Sequence, residues 1–387
     1  MSKFAFVRES YGERIGGIQG KILALATYIN ESTDFEPILI TNDKSSLFSK
    51  RFSEKGFKIY ELPYKNRIKF LWLYTILRNG YYLRRLVQFE KIRVLSAHKL
   101  RESLMCRVVR MKKSINVKNI FRVHTHIDGR GHSKFKAFFL HWIDQITSQY
   151  VDHFITISNV IKNELIEQSN IRESKITVVH NGIDALGMAD SLPTSNQPLK
   201  CKVAIIGELQ PRKSQIDMIK ATHILNQKGC RFEMHFIGGN TYGDYQSKMI
   251  KIVTELGLTD QIKFHGHIER ERIPEIIRDV PIVALNSSFE GIPTSLIEAM
   301  SLRKIVIGTD VGGTSELIEN GVNGFLYRYG EVNDLANILF EIVQGPSKRW
   351  NKLREAAFKT WQKDYHSSVM FKGYHEVLLE VLNEGDR

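Results

Sequence analysis

Short apolar runs recur along the chain, separated by stretches whose apolar positions repeat every three or four residues. The runs Phe4–Val7, Pro37–Ile40, Lys58–Leu62, Ile92–Ser96, Asn119–Val123, His153–Ile157 and Ile176–Val179 predict strands, because an unbroken apolar run suits a strand buried on both faces. The pattern then restarts with Lys202–Ile206, Glu233–Ile237, Ile262–His265, Pro281–Leu285 and a run from Ile305. Helical periodicity marks Ile22–Ile29, Asp334–Ile342 and Lys352–Leu382. Strand–helix alternation predicts parallel sheets wrapped on both faces. Between the two series, Leu186–Lys200 is rich in Pro, Ser and Asn and reads as an interdomain linker. A length of 387 residues exceeds one hydrophobic core, so two α/β domains are expected.

The stretch Phe289–Met300, FEGIPTSLIEAM, follows one of these strands and opens a helix. Pro293 suits a first-turn position, where its missing N–H costs nothing, and Gly291 allows a tight loop before it. Leu296, Ile297 and Met300 repeat at helical spacing. The first-turn amides near Thr294, Ser295 and Leu296 are predicted to form an anion site at the positive end of the helix dipole. Glu290 and Glu298 flank it, and carboxylates there accept hydrogen bonds from hydroxyls. An anion pocket with two hydroxyl acceptors describes a nucleotide-sugar site. The plainer alternative is a strand–loop–helix carrying two solvated glutamates.

Other stretches carry weaker chemistry. Tyr11–Gly20, YGERIGGIQG, is a glycine-rich link between a strand and a helix, without a full G-x-G-x-x-G. Phe121–His132, FRVHTHIDGRGH, ends a strand in a polar loop where ligands bind in open α/β sheets. His124 and His126 share a face of an extended chain, but no further zinc ligand lies near, so no metal is expected. His180–Asp184 contains an Asn-Gly pair that predicts a tight turn with positive φ. Arg212 and Lys213 follow a strand at a loop entering a helix, where two cations neutralise phosphates.

Composition narrows the partners. The net charge of +13 is uneven: residues 51–150 hold 22 Lys and Arg against 6 Asp and Glu, whereas residues 191–387 hold 24 of each. Such a basic patch favours an anionic partner. Within it, the segment 64–93 interleaves Lys65, Arg67, Lys69, Arg78, Arg84 and Arg85 with aromatics, and Gly80 is expected to break it in two. This suits an amphipathic helix at an anionic membrane surface. The alternative is a helix packed on its sheet with a solvated basic face. Nucleic acid is not expected, because no nucleic-acid motif is present. No run approaches a membrane span, and the N-terminus lacks a signal-peptide apolar region. Three cysteines without a C-x-x-C pair suggest a reducing compartment, so the expected location is cytoplasmic, peripheral on the inner face of the membrane.

The E-x7-E spacing of EGIPTSLIEAM, followed by IVIGTDVGGTSELIENGVNGFLY over 305–327, resembles the retaining glycosyltransferases of family 4. The departure at Leu302-Arg303-Lys304, where the family has small residues and a proline, is a turn variation. The resemblance implies an α/β GT-B fold, two Rossmann-like domains facing each other across a cleft. It implies an acceptor-binding domain at 1–190, a nucleotide-sugar-binding domain at 191–355, and a final helix at 356–387 crossing back, with Trp361 anchoring the crossing. It implies transfer of a sugar from a nucleotide donor, UDP favoured over GDP, to a glycan or lipid-linked acceptor, with the anomeric configuration kept and without a cofactor. Residue by residue, Gly16 and Gly17 match the family's cleft-lining glycine pair. His126 matches its catalytic histidine, with His124 the alternate. Lys213 matches a diphosphate contact in the place of G-R-L-x-x-x-K-G, with Arg212 a helper. Here Glu208 stands for the usual arginine and Ser214 for the usual glycine. His267 and Ile268 fall where the base lies, and Glu290, Gly291, Ile292, Pro293, Thr294, Ser295 and Glu298 form the donor motif, with Glu290 also expected to be catalytic beside His126. Two other functions remain open on the same fold: a nucleotide-sugar epimerase or hydrolase, and a noncatalytic membrane-associated binding protein.

Overall fold

The computed structural model describes residues 2–9, 15–64, 72–112, 114–125, 134–186 and 201–383, with the side chains of 134–137 left aside. The expected linker therefore falls mostly outside the described residues. The chain divides into two compact units, 1–179 with 371–387, and 180–370.

In the first unit the order is β1 (Ser2–Val7), α1 (Gly17–Ser32), β2 (Phe35–Thr41), α2 (Leu47–Glu54), β3 (Lys58–Glu61), α3 (Trp72–Glu90), β4 (Ile92–Ala97), α4 (Leu100–Arg110), β5 (Lys118–Val123), α5 (Lys134–Thr147), β6 (His153–Thr156), α6 (Asn159–Ser169) and β7 (Ile176–Val178). All neighbours pair in parallel, in the order β3-β2-β1-β4-β5-β6-β7. Apolar strands such as Phe4–Val7 are fully buried, as a sheet covered on both faces demands. The order reverses direction between β1 and β4, the kind of place where open α/β sheets bind ligands.

Gly80 does not break the segment it lies in. It sits buried inside the continuous helix α3, and a Cβ on it would lie 2.6 Å from Cβ of Val108 on α4. The missing side chain lets two helices approach closely, a tertiary use of glycine that helix propensity cannot reveal.

The second unit contains β8 (Lys202–Ile206), α7 (Gln215–Gln227), β9 (Glu233–Ile237), α8 (Tyr245–Glu255), β10 (Ile262–Gly266), α9 (Ile273–Ile276), β11 (Ile282–Leu285), α10 (Thr294–Ser301), β12 (Ile305–Thr309), α11 (Thr314–Leu317), β13 (Phe325–Tyr327), α12 (Val332–Gln344), α13 (Ser347–Thr360) and the start of α14 (Ser367–Asn383). Its parallel order is β10-β9-β8-β11-β12-β13, reversing between β8 and β11. On one face of this sheet the core joins Met218 and Leu225 of α7, Met249 of α8, Leu339 of α12 and Trp350 of α13 to strand residues such as Val203, Phe236 and Ile307.

Two local expectations change. Lys352–Leu382 is two helices, because a π-helical turn at Trp361–Tyr365 and extended His366 separate α13 from α14. The Asn181-Gly182 turn does not use a positive φ at Gly182. Gly182 is needed for proximity instead, since a Cβ there would lie 2.5 Å from the His366 carbonyl oxygen. Ile183 N–H donates to Tyr365 O at 3.0 Å, and Trp361 Nε1–H donates to Ile183 O at 3.3 Å. Trp361 thus anchors the turn at the start of its own unit.

Candidate active site

The donor motif begins where β11 ends. Its loop is held at fixed distance by a second loop, after β12. Gly313 N–H donates to Glu290 O at 2.9 Å. A Cβ on Gly312 would lie 2.2 Å from Glu290 O, and one on Gly313 would lie 1.7 Å from Gly291 O. Gly312 also takes a φ of 51°, a left-handed conformation that favours glycine. The Gly312-Gly313 turn therefore shapes the Glu290 loop from behind.

Pro293 is the residue before the helix, not its first turn. Its carbonyl accepts from Leu296 N–H at 3.1 Å and Ile297 N–H at 3.2 Å. The Leu296 amide is therefore paired within the turn, which corrects its place in the expected anion site. Gly291, Ile292 and Pro293 are buried, while Thr294 and Ser295 are half-buried.

A third loop, after β8, meets the motif. Pro211–Lys213 form a 3-10 turn, and Ser288 N–H donates to Arg212 O at 2.9 Å. Lys213 Nζ lies 2.6 Å from Glu290 Oε1. Arg212 Nη1 donates to Phe289 O at 2.7 Å and lies 3.5 Å from Glu290 Oε1. Both expected phosphate cations thus converge on one carboxylate. Ser214, in the place of a glycine, takes a φ of 43°, the left-handed conformation a glycine adopts without cost. Its hydroxyl lies 2.9 Å from the Tyr329 hydroxyl. Glu208 is exposed, and its carboxylate accepts from Thr241 Oγ1 at 3.2 Å.

Glu298 is buried and pairs with a residue the sequence did not single out: Arg270 Nε donates to Glu298 Oε1 at 2.6 Å. This bond ties the loop after β10, with exposed His267 and half-buried Ile268, to α10. No spacing signal marks Arg270, which lies among alternating charges in ERER.

In the first unit, Gly16 and Gly17 lie exposed at the start of α1, and neither has a positive φ. Added Cβ atoms would meet nothing closer than 3.6 Å. His126, with Asp128, lies outside the described residues. His124, the alternate, ends β5 and is buried beside His98, with His98 Nδ1 3.1 Å from His124 Nε2 and the rings stacked. Burial holds both imidazoles well below the usual histidine range, reinforced by the nearby Arg122 and Arg8 charges and, at His124, by His98. Both are neutral, so one ring donates to the other. Next to them Arg8 Nη1 donates to buried Glu102 Oε1 at 2.7 Å, while the Glu9 and His98 amides donate to the same carboxylate. Arg8 and His98 follow the ends of β1 and β4, at the reversal point of the sheet, and Glu102 lies in the first turn of α4. Among the described residues no group of three or more His, Cys, Asp or Glu could hold a metal ion.

Two parallel-sheet Rossmann-like domains, with convergent loops at the second domain's β8–β11 reversal point, define a GT-B protein. Residues 195–360 match the family described as "Glycosyl transferases group 1", and residues 15–185 match "Glycosyltransferase Family 4". The chain belongs to the family 4, group 1 glycosyltransferases. It is 29% identical over 234 residues to the amylovoran biosynthesis glycosyltransferase AmsK of Erwinia amylovora, an alignment covering 58% of this chain and 55% of AmsK. It is 24% identical to the lipopolysaccharide 1,6-galactosyltransferase of Escherichia coli, over 60% of this chain and 62% of that protein. The chain thus spans between half and two thirds of these relatives' length. The fold matches that of HepE from Anabaena, solved in complex with UDP and glucose, with a TM-score of 0.79, 18% identity, and 98% and 100% of the two chains covered.

Proposed function

We propose that the protein is a retaining, metal-independent glycosyltransferase. In this reading it moves a sugar from a UDP-sugar, with a GDP-sugar as the alternative donor, to a glycan or lipid-linked acceptor in surface polysaccharide synthesis. It works in the cytoplasm, at an anionic membrane surface approached through segment 64–93. The observation that carries the reading is the convergence of Lys213 and Arg212 on Glu290 beside the α10 N-terminus. The relatives support it, since they are named as glycosyltransferases of bacterial polysaccharides.

The chemistry follows from charge. The bond from the anomeric carbon to the β-phosphate oxygen breaks, and negative charge gathers on the leaving diphosphate. Lys213 and Arg212, assisted by the amide dipoles around Thr294 and Ser295, stabilise that charge as a divalent ion otherwise does. A diphosphate competes with Glu290 for these cations, freeing its carboxylate to accept from donor hydroxyls. Glu298, oriented by Arg270, accepts from others. The acceptor oxygen attacks on the face the diphosphate leaves, which keeps the configuration, and the acceptor's proton passes to the departing phosphate oxygen. By the family resemblance, His126, with His124 as the alternate, serves the transferred sugar, and Gly16 and Gly17 serve the donor.

Thermal-shift titration with UDP, GDP and their sugars tests the donor assignment, because a ligand of the folded state raises the melting temperature. Turnover with the preferred donor, followed by NMR of the product's anomeric proton and repeated with a chelator, tests the rest. An inverted product or loss of turnover in chelator contradicts the reading. Donor consumption that yields free sugar whatever the acceptor favours a hydrolase.

A further inference from the structure

Helix α4 is buried on nearly all sides, with α3 and α5 packed against it on the same face of the first sheet. Helix α3 docks through Gly80 on Val108, and Arg84 bonds the Val108 carbonyl. Helix α5 docks through a fully buried ion pair, Arg107 Nη2 to Asp144 Oδ1 at 2.7 Å. Both outer helices then present apolar side chains to solvent at helical spacing. On α3 these are Leu73, Leu77 and Tyr81; on α5 they are Phe138, Trp142 and Ile146, with Phe138 70% and Trp142 48% exposed. Three residues at i, i+4 and i+8 form one stripe along a helix.

The exposed charges on α3 are of one sign. Arg78 and Arg85 lie exposed on α3, whose only acidic residue is the last, Glu90, which is paired to Lys3 and Tyr60. The only acidic residue on α5 is Asp144, and it is buried. An apolar stripe set among cations on α3, beside an aromatic stripe on α5 whose described residues expose no carboxylate, complements an anionic lipid surface and is costly to leave in water. Exposed tryptophan beside phenylalanine suits the headgroup boundary. Both helices begin at the C-terminal edge of the sheet, the edge that carries His98, His124 and Glu102.

We propose that α3 and α5 together form a two-helix membrane-docking face, with Phe138, Trp142 and Ile146 a second insertion stripe beside that of α3, on an anionic bilayer. This rests on the membrane-acting glycosyltransferase reading and names the element that holds the reactive edge at the lipid surface. Docking by α3 alone predicts no role for α5.

Co-sedimentation of the full chain with vesicles of phosphatidylcholine, or of phosphatidylcholine with phosphatidylglycerol, tests it. The expected result is binding to the anionic vesicles that falls at least ~10-fold in Phe138→Glu/Trp142→Glu and also in Leu73→Glu/Leu77→Glu. Brominated lipid is expected to quench wild-type tryptophan emission, and Trp142→Phe to lose most of that quenching. All variants are expected to keep the wild-type melting temperature and its rise with UDP. The proposal is overturned if the α5 variant binds vesicles as wild type does, or if neutral and anionic vesicles bind alike. It is equally overturned if the same substitutions dissociate a dimer seen in sedimentation, since the face then pairs two copies. Absence of any UDP-induced rise in the wild type counts against the donor reading and leaves the vesicle result to judge the docking face.

Discussion

Lys213 Nζ and Glu290 Oε1 meet at 2.6 Å across 77 residues of sequence, one from the loop after β8 and the other from the loop after β11. Each side chain is mostly buried, so each charge relies on the other when no diphosphate is bound. Their roles separate on substitution. Lys213→Ala is expected to weaken UDP binding by about 10–100-fold, the worth of a charge-assisted phosphate contact. Glu290→Gln removes the competitor for that cation, so UDP binding is held or tightened while turnover falls. Glu208→Arg, which restores a cation at the family's usual position, is expected to tighten UDP binding. Calorimetric titration with UDP beside steady-state turnover decides these; unchanged affinity in Lys213→Ala removes Lys213 from the phosphate site.

Arg270 and Glu298 form the second pair. Arg270→Ala leaves Glu298 intact but unheld, so KM for the donor is expected to rise with kcat little changed. Glu298→Gln weakens the hydroxyl acceptor itself and is expected to lower kcat/KM by about 10–100-fold. Equal effects of the two substitutions on kcat and KM contradict a positioning role for Arg270.

Glycines in this chain answer to different demands, and substitution tells them apart. Gly313→Ala forces the Glu290 loop to move, because its Cβ would overlap the Gly291 carbonyl. A loss of at least ~2 kcal/mol in unfolding free energy is expected, with loss of UDP binding. Gly17→Ala has room and lies in the first helical turn, so stability is expected to hold or rise by up to ~1 kcal/mol. Any fall in donor affinity there reports backbone approach to the donor. Denaturant unfolding with and without UDP measures both.

The buried pair His98 and His124 sets a pH limit on stability. Each has a folded pKa well below its ordinary value, so above pH ~6.5 both states are neutral and no dependence arises. As pH falls below that, the unfolded chain takes up protons that the folded chain refuses. Stability is expected to drop by ~1.4 kcal/mol per pH unit for each histidine. His235 and His265, also lowered by burial, add in the same sense. His124→Gln removes one contribution, so its unfolding free energy measured from pH 7 to pH 5 is expected to fall less steeply than that of the wild type.

Much of this was legible in the order of residues, for reasons that differ from place to place. Strands such as Phe4–Val7 and Ile282–Leu285 announce themselves because a parallel sheet covered on both faces needs unbroken apolar runs. The Glu290–Glu298 stretch was legible because its chemistry is local, a loop and a helix start within twelve residues. Arg270 was not, since the charge alternation around it is what any exposed loop shows. His98 and Glu102 were also missed: His98, just after β4, lies 26 residues before His124, and only parallel pairing of β4 with β5 brings the two rings together.

The sequence by itself determined the alternating strands and helices, the two-domain division, the strand–loop–helix that carries Glu290 and Glu298, and the uneven charge, because each is written in neighbouring residues through periodicity, turn chemistry and composition. Tertiary structure alone decided that Gly80 closes a helix contact, that Lys213 and Arg212 meet Glu290, that Arg270 holds Glu298, and that α3 and α5 turn apolar stripes outward. The physical reason is range. Periodicity reports which face of an element is apolar, whereas ion pairs and packed backbones depend on which elements the sheet order sets side by side.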